Sequence, residues 1–140
     1  MSSSAPASRA HWTVGAFAAF GAFVWATRLR NISGDDLSGS ALVIRAGLAA
    51  YLLLLSAAVG VAWWTASRLA RPVTRATVVA TVLVWVPRAV AIGVDPEHGT
   101  AFKVVHAVLA LVSLVLATLA WRAVNRWSPA DHQHPVAAGA

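Results

Sequence analysis

Two arginines interrupt apolar runs that are long enough to cross a bilayer. Arg45 lies about one turn inside the start of Ala41–Trp64, and Arg88 lies about two turns before the end of Val73–Val94. A guanidinium at such depth is costly unless it faces the protein interior or a wet cavity and finds a partner. His106 sits about one turn into a further apolar run, Ala101–Trp121. The acidic turn Asp95-Pro96-Glu97-His98-Gly99 joins the last two runs. If neighbouring runs are antiparallel helices, Arg45, Arg88 and His106 come to a similar depth near one membrane face. Asp95, Glu97 and His98 then form a lid above them. This set suits the polar or anionic head of a lipophilic ligand, such as a quinone or a lipid.

The surrounding residues refine that picture. Arg88, Ile92 and Asp95 share a helix face by their spacing of four and three. Pro87 lacks a backbone N–H, so it leaves a carbonyl one turn earlier open to polar contacts. Tyr51, two turns beyond Arg45, and Trp85, far from the interfacial belt that tryptophan favours, are candidates for the apolar part of a site. The competing account is structural, and on sequence alone it is preferred. In it the arginine stems snorkel outward and pair with Asp95, Asp35 or Asp36 to tie helix ends together. His106 then makes an interhelical hydrogen bond, and Trp85 packs against neighbouring helices.

Other chemistries lack their residues. The chain has no cysteine, which excludes disulfides, thiolate nucleophiles, cysteine-ligated metals and covalently attached haem. His98 and His106 straddle a junction between turn and helix, and His132 and His134 lie near the C-terminus. None has the spacing of a helical metal site, so no metal is expected. No serine–histidine–aspartate arrangement or phosphate-cradling glycine loop is visible, and no catalytic residue is assigned. The expected cofactor set is empty unless a quinone or lipid occupies the arginine site.

The elements that must position these residues follow from composition. The chain is 59% apolar and 11% charged, whereas soluble domains carry about 25% charged residues. So few polar side chains cannot cover a water-facing surface, and lipid is the expected solvent. Its formal net charge of +6 sits between apolar runs rather than along one face. The bias of basic residues toward one side of a membrane explains it, and nucleic acid is not an expected partner. The expected class is all-α, an antiparallel four-helix transmembrane bundle. Its helices are predicted at about 11–29, 41–64, 73–94 and 101–121, in a membrane domain of 11–127 flanked by disordered tails at 1–10 and 128–140. Pro72 falls in the first turn of the third helix, where its missing N–H costs nothing. Small residues four apart, Gly15 and Ala19, Ala18 and Ala22, Ala46 and Ala50, predict close helix approach. A cleaved signal peptide competes for the first apolar run, with Arg9 as its basic flank.

Orientation comes from charge. Arg9, Arg68, Arg71, Arg75, Arg122 and Arg126 fall at the end that holds both termini, against Arg28, Arg30 and Lys103 at the other. That predicts a multi-pass plasma-membrane protein with both termini in the cytoplasm.

Arg45-Ala46-Gly47-Leu48, the basic connection around Arg68–Arg75, Arg88 late in its helix and the Asp95-Pro96 turn together resemble the small four-helix DoxX-like membrane proteins and their uncharacterised bacterial relatives. That resemblance implies a four-helix bundle in a bacterial membrane, in some members associated with quinone-linked oxidoreductase or oxidative-stress assemblies. It transfers no catalytic residue. The resulting expectation is an accessory or scaffold subunit without chemistry of its own, in a larger complex or a homo-oligomer. The alternative is a membrane enzyme or binding protein whose lipophilic substrate places its head at the Arg/His cluster.

Overall fold

The structure, a computed structural model, describes residues 5–32 and 39–126. They carry four helices: α1 (Ala5–Ile32), α2 (Gly39–Trp64), α3 (Ala70–Val94) and α4 (Thr100–Arg126). The predicted runs all appear, and all four helices are longer than their predicted spans. α1 begins at Ala5, so Ala5–Ala10, expected in a disordered tail, are helical; alanine favours helix even where apolarity has ended. α3 begins at Ala70 and takes Pro72 into its first turn. α4 continues through Arg122 to Arg126, because Val124 still packs fully into the core. Residues 1–4, the Asp35-Asp36 pair and the expected C-terminal tail lie outside the described residues.

Each helix packs on two neighbours in the order α1, α2, α3, α4, and α4 closes the ring against α1. Neighbours run antiparallel. Buried positions recur at alternating intervals of three and four: Ala49, Leu52, Ser56, Val59 and Trp63 on α2, and Ala110, Ser113, Ala117, Ala120 and Val124 on α4. That interval is the seam of a left-handed bundle with small crossing angles. One core cluster surrounds Val14, Val59, Val78 and Val124 at the end holding the start of α1, and a second surrounds Trp25, Ala49 and Leu52 at the other.

Among the glycines of α1, close approach falls at Gly21 rather than at Gly15 of the predicted pairs. Gly15 has open space around its Cα, whereas a Cβ on Gly21 would lie 2.6 Å from the Ser56 hydroxyl. Gly21 lets α1 reach α2 there, and Ser56 Oγ turns back to donate to the Leu52 carbonyl at 2.8 Å. Of the predicted pairs, Gly15 and Ala19 face outward, whereas Ala18 is buried in the first core cluster and Ala46 packs against the second.

Outward faces are as apolar as the core: Ile44, Leu54 and Leu83 are each more than 60% exposed. Three helices, α2, α3 and α4, are long and apolar enough to cross a membrane. The chain is therefore a multi-pass membrane protein, in contact with the bilayer. α1 has the length, at 28 residues, but its apolar stretch is diluted by glycine, threonine, histidine and tryptophan.

Candidate functional site

Arg88 continues the buried seam of α3, one step beyond Thr81 and Trp85 and one before Ile92. The same holds on two other helices. Arg45 precedes Ala49 and Leu52 on the α2 seam, and Arg28 follows Trp25 on α1. Seam positions face the bundle axis, so three guanidinium stems converge where the apolar core ends. Arg28, Arg45 and Arg88 line one open cavity of about 350 Å³, together with Ala91 and Ile92 of α3, Phe102 of α4, and Asp95 and His98 of the turn between them. Arg45 and Arg88 each lie six residues from their helix ends, about 9 Å along the axis, so they are level with each other. Arg28 and Arg45 both act electrostatically on the half-buried Arg88.

The carboxylate in this cavity is committed elsewhere. Asp95 caps α3, and its own turn uses both of its oxygens. The Glu97 backbone N–H donates to Oδ1 at 2.9 Å, and His98 Nδ1 lies 2.9 Å from Oδ2. A carboxylate only accepts, so Nδ1 carries the proton in that bond. The Glu97 N–H first, then the His98 bond and charge and the Lys103 charge, hold the Asp95 carboxyl below its ordinary range, against a smaller opposing effect of burial. Lys103 Nζ donates to the Gly93 carbonyl at 3.2 Å, which ties the start of α4 to the end of α3. Among the described residues, no hydrogen bond or ion pair joins Arg45 or Arg88 to an acid.

No family model, curated protein or solved structure matches this chain. The geometry alone carries the reading of the site.

Of the residues singled out from sequence, Arg45, Arg88, Asp95 and His98 come together at the cavity. His106 does not join them. It lines a neighbouring cavity of about 240 Å³ between α3 and α4, with Ala89, Gly93 and Lys103. Its Nδ1 donates to the Phe102 carbonyl at 3.0 Å, and its ring lies 4.0 Å from that of Phe102. Phe102 contacts both histidines, since its ring also stacks on that of His98 at 4.4 Å. The Glu97 side chain is exposed and does not line the cavity. Tyr51 is 55% exposed on the outward side of α2; six residues beyond Arg45 is well over a turn and a half, which turns it away from the seam. Trp85 is buried a turn deeper than Arg88 and lies 6.3 Å from Trp25, centroid to centroid, across the bundle. It packs the core beneath the cavity. Asp35 and Asp36, the other acids expected here, lie outside the described residues.

Arg28 is the residue that sequence reading missed. It falls within the helix expected at 11–29 but beyond the apolar run, where it counted only toward orientation; α1 in fact continues to Ile32. The signal was available in the interval: Val14, Ala18, Gly21, Trp25, Arg28 and Ile32 are spaced by three or four.

The opposite end of the bundle is built differently. Trp63 Nε1 donates to Thr74 Oγ1 at 2.8 Å, and Arg75 donates to Asn125 Oδ1 at 2.6 Å while its guanidinium lies 5.7 Å from the Trp121 ring centroid. Polar contacts bridge α2 to α3 and α3 to α4 there. The arginine end keeps a cavity instead.

Proposed function

We propose that this protein is a small multi-pass membrane protein that holds the anionic head of a lipophilic ligand in the cavity of Arg28, Arg45 and Arg88. The observation that carries this reading is the absence, among the described residues, of a carboxylate bound to Arg45 or Arg88 in a cavity large enough for a head group. Arginines that only tied helix ends together would be closed by acids. Asp95 is held in its own turn instead, so positive charge faces the cavity. The site offers binding and orientation of a charged head, and it offers no nucleophile.

α1 serves as a fourth span in this reading. No Asp, Glu, Lys or Arg occurs between Arg9 and Arg28, and α1 packs along both α2 and α4. Four crossings put both termini on one side, and the excess of arginine at that end favours the cytoplasm. The cavity then opens toward the outer face. The sequence pattern shared with the DoxX-like bundles supports a bacterial plasma membrane and a place in a larger assembly.

Purification in mild detergent, with mass spectrometry of whatever co-purifies, tests the reading. We expect an anionic amphiphile retained by the native chain. Recovery of partner proteins with no amphiphile would replace it with a scaffold role.

A further inference from the structure

Resting on that reading, we propose that the smaller cavity between α3 and α4 takes the first carbons of the ligand's hydrocarbon chain, so that head and chain occupy two adjoining compartments. The packing of α4 makes the space. No residue of α4 from Thr100 to Leu109 is buried, and its seam begins only at Ala110. Over the same depth α3 stays buried at Trp85 and Ile92. The start of α4 therefore stands off from α3, and Lys103 Nζ bridges the gap by donating to the Gly93 carbonyl at 3.2 Å. Beside that bridge Ala89, Val104, His106 and Ala107 line about 240 Å³.

The chemistry of the lining selects the occupant. Water in such a space needs about two to four polar partners. Lys103 is bonded to the Gly93 carbonyl, and His106 Nδ1 donates to the carbonyl of Phe102 on its own helix. The rest of the lining is apolar, from Ala89, Ile92, Val104 and Ala107. An unfilled apolar space forfeits dispersion contacts, and hydrocarbon restores them. Continuity names whose hydrocarbon it is. Ile92 lines both cavities, and the Phe102 ring of the arginine cavity lies 4.0 Å from the ring of His106. Depth agrees. Counted from the helix ends at the arginine rim, Gly93 lies about 2 Å in, Ala107 about 10 Å, and Arg45 and Arg88 about 9 Å. The compartment thus spans the level at which a head gives way to a chain. Its volume equals the liquid share of about eight waters, which suits a few methylene groups. Val86 on α3 and Leu111 on α4 lie one turn further in on the same faces and are exposed, so a longer chain continues into the bilayer. Surrounding lipid is as apolar as this lining, so the compartment orients the chain more than it adds hydrophobic affinity.

The test uses the full chain in phosphatidylcholine nanodiscs and two permanently ionised probes, methanesulfonate and octanesulfonate. Their affinities are read from the rise in thermal midpoint with concentration. Gly93 lines the cavity and a Cβ built on it meets nothing within 4 Å, so Gly93→Leu fills the space and keeps the fold. The expected result is octanesulfonate weakened about fivefold, equivalent to about 1 kcal/mol. Methanesulfonate, which has no chain to place, is unchanged. Gly15→Leu, also in open space but at the other end of the bundle, changes neither. A second measurement locates the chain. An octyl sulfonate with a diazirine on its fourth carbon should label Ala89, Val104 and Ala107 on illumination, in preference to the exposed Leu54 and Leu83. Label spread evenly over these faces, or octanesulfonate binding that Gly93→Leu leaves intact, overturns the chain compartment; methanesulfonate binding would then still uphold the head reading. Equal weakening of both sulfonates overturns the compartment too, because the leucine then acts through the arginine cavity. Label concentrated between α3 and α4 without methanesulfonate binding keeps the compartment and overturns the head reading. Neither binding nor concentrated label overturns both.

Discussion

Asp95 accepts from the Glu97 N–H and from His98, and those bonds hold its carboxyl below the ordinary carboxylate range. A depressed acid stabilises the folded turn at every pH above its unfolded value, and the contribution disappears as pH falls through the lower folded value. Protection of the Glu97 amide from hydrogen exchange should therefore hold from neutral pH down to the ordinary carboxylate range and fail only below it. Loss beginning at milder pH would contradict the assignment. Gly21 makes a second residue-scale prediction. A valine there must displace the Ser56 hydroxyl from its bond to Leu52 and push α1 off α2. Overpacking of this kind costs about 1–3 kcal/mol, so Gly21→Val should lower the thermal midpoint in detergent, whereas Gly15→Val, in open space, should not. Arg28 shows why single residues were hard to read from sequence. Its chemistry was plain and the expected helix already reached it, but it lies beyond the apolar run, so only the three-and-four interval could place it on the inward seam.

At the scale of elements, run length and spacing did most of the work. Ala41–Trp64, Val73–Val94 and Ala101–Trp121 were legible because a membrane leaves the chain few other conformations, and the seam interval then assigns each inward face. The interval also separates Arg88, which lies on the seam, from Tyr51, which does not. What the sequence concealed was the pairing between faces: His106 shares a cavity with Gly93 and Ala89 of α3 rather than with the arginines. The connection from α2 to α3 makes its own prediction. Ser67 N–H donates to the Ala62 carbonyl at 2.9 Å and Ala66 N–H to the Trp63 carbonyl at 3.3 Å, with Ala66 at a φ of 49°. This is the paired-bond helix ending that glycine normally completes. A left-handed alanine is strained by about 1–2 kcal/mol, part of which is offset by the greater freedom of an unfolded glycine. Ala66→Gly should raise stability by up to about 1 kcal/mol, measured as a higher midpoint; no change or a decrease would argue against the observed turn.

For the whole molecule, the two ends of the bundle divide the labour. One is bridged by Trp63 to Thr74 and by Arg75 to Asn125, and the other gathers positive charge around a cavity. If all four helices cross, single cysteines placed at Ser3 and at Gly139 should both react with an impermeant thiol reagent from the cytoplasmic side only. Labelling on opposite sides would mean that α1 does not span. The central claim, that the guanidinium groups hold an anionic amphiphile, has a more direct measure: the amount of amphiphile retained per folded molecule by native, Arg88→Leu and Arg75→Leu chains purified in parallel. The account predicts retention by the native and Arg75→Leu chains and its loss from Arg88→Leu at an equal yield of folded protein. Equal retention by all three, or none by the native chain, would contradict it.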